Sequence, residues 1–250
     1  MHFGVVLPNY GRGASPEAIR RVGAAAEELG FHSVWATEHI IVGPEGVERY
    51  VPVYDPFVTL SWIAGRSERI ELGTSILLVP LHNPIHVAKQ VASLTELTGR
   101  RFRLGVGAGW HEDEFRFMGM GFADRGRRLN EAVRVMRALW SGERSFTGEY
   151  WQFDDATFSP LPSLQPEIWV GGVSPPSIRR IELLGEATWH PSSNIELEFV
   201  RRVRSEYPGI RIVPRTPPDL VDQFLELGTD GAVVSFPDES AMAAFAVKYL

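Results

Sequence analysis

Short runs rich in β-branched residues alternate with helical patterns along the chain, and this alternation constrains the fold more than any other feature. Eight candidate strands recur at His2–Leu7, Ser33–Ala36, Ile70–Ser75, Phe102–Val106, Ile168–Val170, Ala187–Trp189, Ile210–Val213 and Gly231–Ser235. The segments between them repeat apolar residues about every 3.6 positions, as in Ile19, Val22, Ala26 and Leu29. Eight strand–helix units in 250 residues predict a parallel sheet closed into a TIM (β/α)₈ barrel.

The expected helix ends carry chemical signals that support this pattern. A capping residue precedes proline at Ser15-Pro16, Asp55-Pro56, Asn83-Pro84, Ser174-Pro175 and Thr216-Pro217. The side-chain oxygen of such a residue can accept a free backbone N–H, and the fixed φ of proline suits the first helical position. Glycines that can end helices stand at Gly30, Gly99, Gly142, Gly185 and Gly228.

The alternation runs through residues 1–250 without a linker or low-complexity segment, which predicts a single domain. The irregular piece is Phe146–Pro162, where Gly148 and several prolines indicate a hairpin inserted between the fourth and fifth units. An open, doubly wound sheet with helices on both faces is the alternative architecture, because it uses the same alternation of strands and helices.

Composition excludes several classes of function. The chain has 0 cysteines, which rules out disulfides, cysteine nucleophiles, zinc-thiolate sites and iron–sulfur clusters. Its 25 Lys and Arg against 31 Asp and Glu give a net charge of -6 without a long basic run, so we expect no nucleic-acid partner. Proline, glycine or charge interrupts every apolar stretch before membrane-spanning length, so we expect no membrane partner and a cytoplasmic location.

In a barrel of this type the site lies beyond the carboxyl ends of the strands, where the loops converge. The positions expected there are Pro8-Asn9, Glu38-His39, Ser75-Ile76, Gly107-Ala108-Gly109-Trp110, Gly171-Gly172-Val173, Trp189-His190, Pro214 and Phe236-Pro237. They are rich in small, aromatic and imidazole groups and poor in paired carboxylates. This mixture favours a large planar ligand with a phosphorylated tail over a metal-hydrolase cage.

Two glycine-rich segments stand among these positions. Gly105–Gly109 resembles half of a dinucleotide fingerprint, but Trp110 occupies the place of the third glycine. The missing side chains could let backbone approach a flat ring or a phosphate, and tight packing at a strand end is the alternative. Gly171-Gly172 opens onto Ser174-Pro175, which predicts an anion site at a helix N-terminus, with a plain turn as the alternative.

His39 follows the second strand and stands beside Glu38. It could give or take a proton with its ring oriented by that carboxylate, and a purely structural histidine is the alternative. His82 and His86 invite a metal interpretation, but no third ligand has a fitting spacing. The aromatic residues that could stack on a cofactor, or simply belong to the core, are Trp110, Trp189 and His190.

Several strings, taken in order, resemble the luciferase-like monooxygenase family. They are Gly4–Pro8, Ala26–Phe31, Val34–His39, Leu72–Ser75, Arg103–Trp110, Asp124–Leu129, Gly142–Phe153, Trp169–Gly172 and Trp189–Pro191. No single string is diagnostic, but their order spans most of the chain. The family is a TIM barrel that uses FMN or the deazaflavin coenzyme F420, so the resemblance implies this fold and one of these two cofactors.

The resemblance also implies roles for individual positions. Ser75-Ile76 falls where the family often has a non-prolyl cis peptide that backs the isoalloxazine ring. Glu38-His39 matches the acidic–His pair near the ring in deazaflavin members. Gly107-Ala108-Gly109-Trp110 matches the lining of the cofactor channel, and Gly171-Gly172-Val173 matches the segment near the phosphate. Trp110 stands where the sugar-phosphate dehydrogenase branch has a glutamate, so that branch's substrate does not carry over.

The sequence therefore predicts an oxidoreductase that uses F420, or alternatively FMN, for hydride transfer or monooxygenation of a small organic substrate at the barrel mouth. F420 is preferred because Glu38-His39 and the Gly-Ala-Gly-Trp loop are more similar to the deazaflavin branch. His39 is predicted to be the residue that gives or takes the proton. The alternative functions are a cofactor-binding barrel without turnover and a metal-dependent barrel hydrolase. A homodimer is a further possibility.

Overall fold

The computed structural model describes residues 1–185, 188–192 and 194–250. The strands are β1 (His2–Val6), β2 (Ser33–Ala36), β3 (Glu71–Thr74), β4 (Phe102–Val106), β5 (Phe146–Thr147), β6 (Gln152–Phe153), β7 (Glu167–Gly171), β8 (Thr188–His190), β9 (Arg215–Thr216) and β10 (Gly231–Val234). The helices are α1 (Pro16–Glu28), α2 (Pro44–Tyr50), α3 (Pro56–Ala64), α4 (Pro84–Thr98), α5 (Glu112–Phe117), α6 (Arg125–Trp140), α7 (Pro175–Leu184), α8 (Leu197–Glu206), α9 (Val221–Glu226) and α10 (Glu239–Tyr249). Two 3₁₀ turns lie at Val79–Leu81 and Pro218–Leu220.

Eight strands form one parallel sheet in the order β8-β7-β4-β3-β2-β1-β10-β9. Backbone hydrogen bonds then join its two ends. Trp189 N donates to Arg211 O at 2.9 Å, Val213 N to Trp189 O at 3.0 Å, and Arg215 N to Pro191 O at 2.7 Å. The sheet therefore closes on itself. The predicted TIM barrel is confirmed, and the open doubly wound sheet is rejected.

The seventh barrel strand is displaced from its predicted position. The expected strand at Ile210–Val213 is wrong: Ile212 forms only an isolated bridge with Trp189, and the paired strand is β9. Pro214 has no N–H to donate, so the ladder is interrupted there and resumes beyond it. Thr216 consequently lies in β9 instead of capping a helix. In the predicted sixth strand, Ala187 lies outside the described residues, and the remainder is β8.

The other capping predictions hold with one qualification. Side-chain oxygens of Ser15, Asp55 and Asn83 accept backbone N–H groups at the starts of α1, α3 and α4. Ser174 precedes α7 but makes no side-chain capping bond. Gly99 ends α4 with a φ of 63°, a conformation that glycine adopts without strain. No helix in the described part of the chain combines the length and apolar character needed to cross a bilayer.

The predicted hairpin is present between α6 and β7. Its antiparallel strands β5 and β6 pair Phe146 with Phe153. The buried carboxylate of Glu131, on α6, accepts the backbone N–H groups of Glu149, Tyr150 and Trp151, each at 2.8 Å. A hairpin this short is not stable alone, so this carboxylate anchors it to the barrel.

Two tryptophans fill the inside of the barrel. Trp35 and Trp169 are fully buried, and their ring centroids lie 4.6 Å apart. Gly4 and Gly73 leave the space that they need: a Cβ on Gly4 would overlap Trp35 Nε1, and one on Gly73 would lie 2.5 Å from Trp35 Cε3. The barrel interior is therefore a packed core, and a ligand must bind above it in the loops.

Two buried histidines extend this interior stack. The ring of His2 lies 5.3 Å from Trp169, and the ring of His190 stacks on Trp35 at 5.2 Å. Burial, followed by the charge of Arg103, lowers the pKa of His2 to about 2. Burial also lowers the pKa of His190 to about 4. Both imidazoles are therefore neutral in the folded protein at neutral pH.

We expect Gly73→Ala to destabilise the fold, because the added methyl group meets the Trp35 ring in a core without spare space. Overpacking of this kind costs about 1–3 kcal/mol. Chemical denaturation should show this loss in the free energy of unfolding. Gly13→Ala is the matched control, because a Cβ on Gly13 has no neighbour within 4 Å. Equal stability of the two variants would contradict the packing of Trp35 described here.

We also expect the free energy of unfolding to fall as the pH drops below 6.5, the ordinary pKa of both histidines. Folding lowers the pKa of both histidines, so the unfolded chain binds more protons than the folded chain at acidic pH. Their contribution to the free energy of unfolding is therefore fully present only above that pH. Each histidine contributes a slope of about 1.4 kcal/mol per pH unit. Urea unfolding at several pH values from 7 to about 5 measures this slope, and His190→Gln should reduce it. If His190→Gln leaves the slope of the unfolding free energy against pH unchanged, the neutral buried state of His190 is contradicted.

Candidate active site

The loops after β1 and β2 are joined at the carboxyl end of the barrel, which we call the mouth. Asn9 is fully buried there. Its Nδ2 donates to the carbonyls of Thr37 at 2.7 Å and Tyr54 at 2.8 Å, and its Oδ1 accepts the Thr37 N–H at 2.9 Å. Since every donor and acceptor of this amide except one lone pair is used, the two loops are held in a defined position.

The Ser75–Ile76 peptide is cis, as the resemblance implied. The Ile76 side chain occupies space that two glycines leave open. A Cβ on Gly107 would overlap Ile76 Cδ1, and one on Gly171 would lie 2.9 Å from the same atom. A Cβ on Gly105 would overlap the backbone of β3. Tight packing therefore accounts for these glycines in the structure, and their contact with a ligand stays a prediction.

The loop after β4 presents Trp110 at the mouth. Ala108 packs against the core, and Gly109 has a φ of 82°, which favours glycine. Trp110 is 52% exposed, and its ring lies 6.1 Å from the His39 ring and 6.4 Å from the Tyr50 ring. These three side chains form an aromatic wall with one open face, which suits a planar ligand.

His39 lies at this wall with a buried carboxylate behind it. Its Nδ1 is 2.9 Å from Glu114 Oε2, and the two side chains are 4% and 1% exposed. Glu114 Oε1 accepts the Ile40 N–H at 2.6 Å. The other face of the imidazole contacts Tyr50, with ring centroids 4.0 Å apart. His39 is thus fixed in position at the mouth by two elements far apart in the chain.

Glu38 does not orient His39, so that expectation is wrong. Its carboxylate accepts the Leu78 N–H at 2.6 Å and contacts His82 Nε2 at 2.8 Å. The two neighbouring side chains thus have different partners, because Glu38 binds the loop after β3 whereas His39 binds Glu114 on α5. Burial would lower the pKa of His82, but the hydrogen bond and charge of Glu38 outweigh it and raise the pKa. The described residues include no cluster of three potential metal ligands.

Trp189 and His190 belong to the core. Trp189 is fully buried, and its Nε1 donates to the Gly172 carbonyl at 2.9 Å. His190 Nδ1 contacts the Val213 carbonyl at 2.6 Å, and its Nε2 contacts Ser75 Oγ at 2.8 Å. A carbonyl oxygen only accepts, so Nδ1 carries the hydrogen and Nε2 accepts from Ser75. Direct stacking of Trp189 on a ligand is not compatible with this burial.

Arg215 crosses the mouth from β9. Its guanidinium donates to Thr37 Oγ1 at 2.8 Å, to the Ser75 carbonyl at 2.6 Å and to Tyr10 Oη at 2.6 Å. These acceptors follow β2, β3 and β1, so one side chain links the ends of four strands. Sequence analysis missed Arg215, because its partners lie between 140 and 205 residues away in the chain.

The backbone at Gly171-Gly172-Val173 offers fewer donors than the sequence analysis expected. Gly172 has a φ of 113°, and a Cβ there would overlap Ser177 Oγ. Helix α7 then begins with Pro175 and Pro176, neither of which has an N–H. The anion site at this helix N-terminus therefore rests on few backbone groups, and a substitution at Gly172 would disturb the fold as well as a ligand.

Arginine side chains supply positive charge close by. Arg125 Nε donates to the Gly109 carbonyl at 3.1 Å, and Arg180 Nε donates to Asn130 Oδ1 at 2.7 Å. Burial, followed by the charges of Arg125 and Arg179, lowers the pKa of Arg180. Among the described residues, no carboxylate forms an ion pair with any of these three arginines. This cluster between the β4 loop and α7 is suited to an anionic group such as a phosphate.

Two open clefts flank the mouth. One has a volume of about 680 Å³ and is lined by Trp110, His111 and Met120 among others. The second has a volume of about 820 Å³ and lies between Val173 and the side chains of α8. Both clefts carry acidic residues, including Asp113 in the first and Glu198 in the second. They leave room for a ligand that extends from the mouth in either direction.

Known proteins resemble the chain over most of its length. A protein of Mycobacterium tuberculosis described as uncharacterised is 29% identical over 268 residues, covering 96% of this chain and 94% of that protein. The F420-dependent glucose-6-phosphate dehydrogenase of Kineococcus radiotolerans is 36% identical over 168 residues, 64% of this chain and 48% of that protein. The oxygenase component of the flavin-dependent trigonelline monooxygenase of Acinetobacter baylyi is 30% identical over 156 residues, 61% of this chain and 42% of that protein.

A solved structure and a family model extend these similarities. The monooxygenase RslO1 from Streptomyces bottropensis has the same fold, with a TM-score of 0.81 at 21% identity over 99% of this chain and 97% of that one. Residues 1–202 match the family model described as luciferase-like monooxygenase. Since this match covers most of the chain and agrees with the closed barrel, the chain belongs to the luciferase-like monooxygenase family.

Proposed function

We propose that this protein is a cytoplasmic oxidoreductase that binds coenzyme F420 at the barrel mouth and acts on a small organic molecule. The observation that carries the proposal is the arginine cluster, Arg125 with Arg179 and Arg180, one loop away from the aromatic wall at His39 and Trp110. An unneutralised positive cluster beside an aromatic wall fits a planar ligand with a phosphorylated tail. Both F420 and FMN have a planar ring system and a phosphate in the attached chain.

Two considerations favour F420 over FMN. The F420-dependent relative is 36% identical, against 30% for the flavin-dependent one. The mouth also provides a histidine backed by a carboxylate, which suits hydride transfer coupled to movement of a proton. A flavin-dependent monooxygenase is the second candidate, and the family description together with the Acinetobacter relative supports it. The glucose-6-phosphate substrate of the first relative is not part of the proposal.

The protein residues have distinct tasks in this mechanism. A bound deazaflavin would supply the hydride acceptor or donor. Trp110 and Tyr50 hold the planar ligand and exclude water from one side. His39 takes or gives the accompanying proton at its Nε2, since Nδ1 is occupied by Glu114. Arg125 and Arg180 would bind the phosphate, and Arg215 fixes the Ser75 backbone at the mouth.

Titration of the purified full chain with F420 and with FMN tests the proposal. We expect F420 to bind more tightly than FMN. A spectral or fluorescence titration measures both affinities under the same conditions. Tight FMN binding without F420 binding would make the flavin-dependent candidate correct. Failure to bind either compound would contradict both.

The variant Arg180→Met tests whether Arg180 binds the phosphate of the cofactor. Loss of one charge-assisted hydrogen bond costs about 1.5–3 kcal/mol, so we expect the affinity for F420 to fall roughly ten- to hundredfold. The dephosphorylated deazaflavin should bind wild type and variant alike, because it lacks the group that Arg180 contacts. Arg134→Met, an exposed arginine on the same layer of helices, is the control and should leave both affinities unchanged. If Arg180→Met lowers the affinity for both compounds equally, Arg180 has a packing role and does not bind the phosphate.

A further inference from the structure

The hydrogen bonds of Glu114 determine which nitrogen of His39 carries its hydrogen. The carboxylate accepts the backbone N–H of Ile40 at 2.6 Å on Oε1, while Oε2 lies 2.9 Å from His39 Nδ1. An ionised carboxylate can only accept hydrogen bonds. The hydrogen of a neutral His39 therefore sits on Nδ1, and the lone pair is on Nε2.

The second nitrogen is left available for chemistry. Within the described residues, Nδ1 is the only ring nitrogen of His39 that makes a hydrogen bond. Tyr50 contacts the ring at 4.0 Å, and Trp110 meets it edge-on at 6.1 Å. Both contacts restrict rotation of the ring without occupying Nε2. The imidazole thus presents one acceptor, in one orientation, at the mouth.

We propose that Glu114 is the positioning residue of His39: it selects the Nδ1–H tautomer, so that Nε2 acts as the proton acceptor of the site. In the step, an O–H or N–H of the bound molecule gives its proton to Nε2. The O–H or N–H bond breaks with its electron pair left on that oxygen or nitrogen, and the lone pair of Nε2 forms the new N–H bond. The buried carboxylate then stabilises the imidazolium. The catalytic part of this inference rests on the proposed function, whereas the tautomer does not.

Glu114 has a second task that any test must separate from the first. It also accepts the Ile41 N–H at 3.4 Å, and His111 Nε2 accepts the Gly43 N–H at 2.8 Å. Together these bonds hold the loop after β2 on α5. Removing the side chain would release this loop, so an alanine variant cannot distinguish positioning of His39 from a structural role. Glu114→Gln keeps the shape and the acceptor oxygen.

The glutamine substitution is also expected to change the tautomer of the imidazole. With its oxygen bound to Ile40, its NH₂ group faces Nδ1 and donates to it. The hydrogen of His39 must then move to Nε2, and the site loses its acceptor. Glu131→Gln is the matched control, because Glu131 is also a buried carboxylate that accepts backbone N–H groups, three in its case, and its ion-pair partner among the described residues is Arg134.

Nitrogen-15 NMR of histidine-labelled full chain tests the tautomer without any cofactor. The chain has 7 histidines, and the His39 signal is assigned as the one lost in His39→Gln. We expect the Nδ1–H form in the wild type and in Glu131→Gln, and the Nε2–H form in Glu114→Gln. A wild type in the Nε2–H form would overturn the inference, even if the glutamine variant failed to fold. So would a glutamine variant that keeps the Nδ1–H form.

Turnover then tests the catalytic part. General acid–base groups typically contribute about 10²–10⁴-fold, so His39→Ala and Glu114→Gln should each lower kcat by roughly this factor while KM and cofactor affinity change little. The double variant should be no worse than His39→Ala alone, because both changes remove the same acceptor. Normal kcat in Glu114→Gln with bound cofactor would overturn positioning and leave the proposed function intact. Absence of cofactor binding in the wild type would refute the proposed function and leave the NMR result to decide the tautomer.

Discussion

The close packing of Trp35 and Trp169 inside the barrel is the constraint on which the rest of the structure depends. The two rings, 4.6 Å apart, fit because Gly4 and Gly73 present no side chain to them. His2 and His190 extend the stack in neutral form, since burial lowers the pKa of each. A solid interior leaves no channel through the barrel. Every group that can meet a ligand must therefore come from the loops at the carboxyl end, and those loops must be held rigid by other means.

Buried polar side chains hold these loops. Glu38 and Glu114 each bind an imidazole and a backbone N–H of another segment of the chain, at 2.6 to 2.9 Å. Asn9 and Arg215 bind further loop atoms through neutral partners. A buried carboxylate is costly unless it is hydrogen-bonded, so these contacts both satisfy the charge and fix the geometry. The Arg125–Arg180 cluster is different, because among the described residues it has no carboxylate partner. Like Arg215, whose partners are neutral, this cluster carries positive charge that no ion pair among the described residues compensates.

The sequence predicted the features that depend on local pattern. The alternation of strands and helices, most caps, the hairpin and the cis peptide at Ser75–Ile76 follow from neighbouring residues or from family strings. The features that it missed join distant parts of the chain. His39 meets Glu114 across 75 residues, and nothing in the run Glu112, Asp113, Glu114 shows which acid turns inward. Adjacency suggested Glu38 instead, but the two neighbouring side chains have different partners. Pro214 moved the seventh strand for a local reason that was visible in the sequence.

The most direct measurement is a crystal structure of the full chain with F420 bound. We expect the ring to lie against Ser75–Ile76 and the aromatic wall, with a ligand atom within hydrogen-bond distance of His39 Nε2. We expect the phosphate to contact Arg125 or Arg180. Cofactor density confined to one of the flanking clefts, or a phosphate without an arginine contact, would contradict the account.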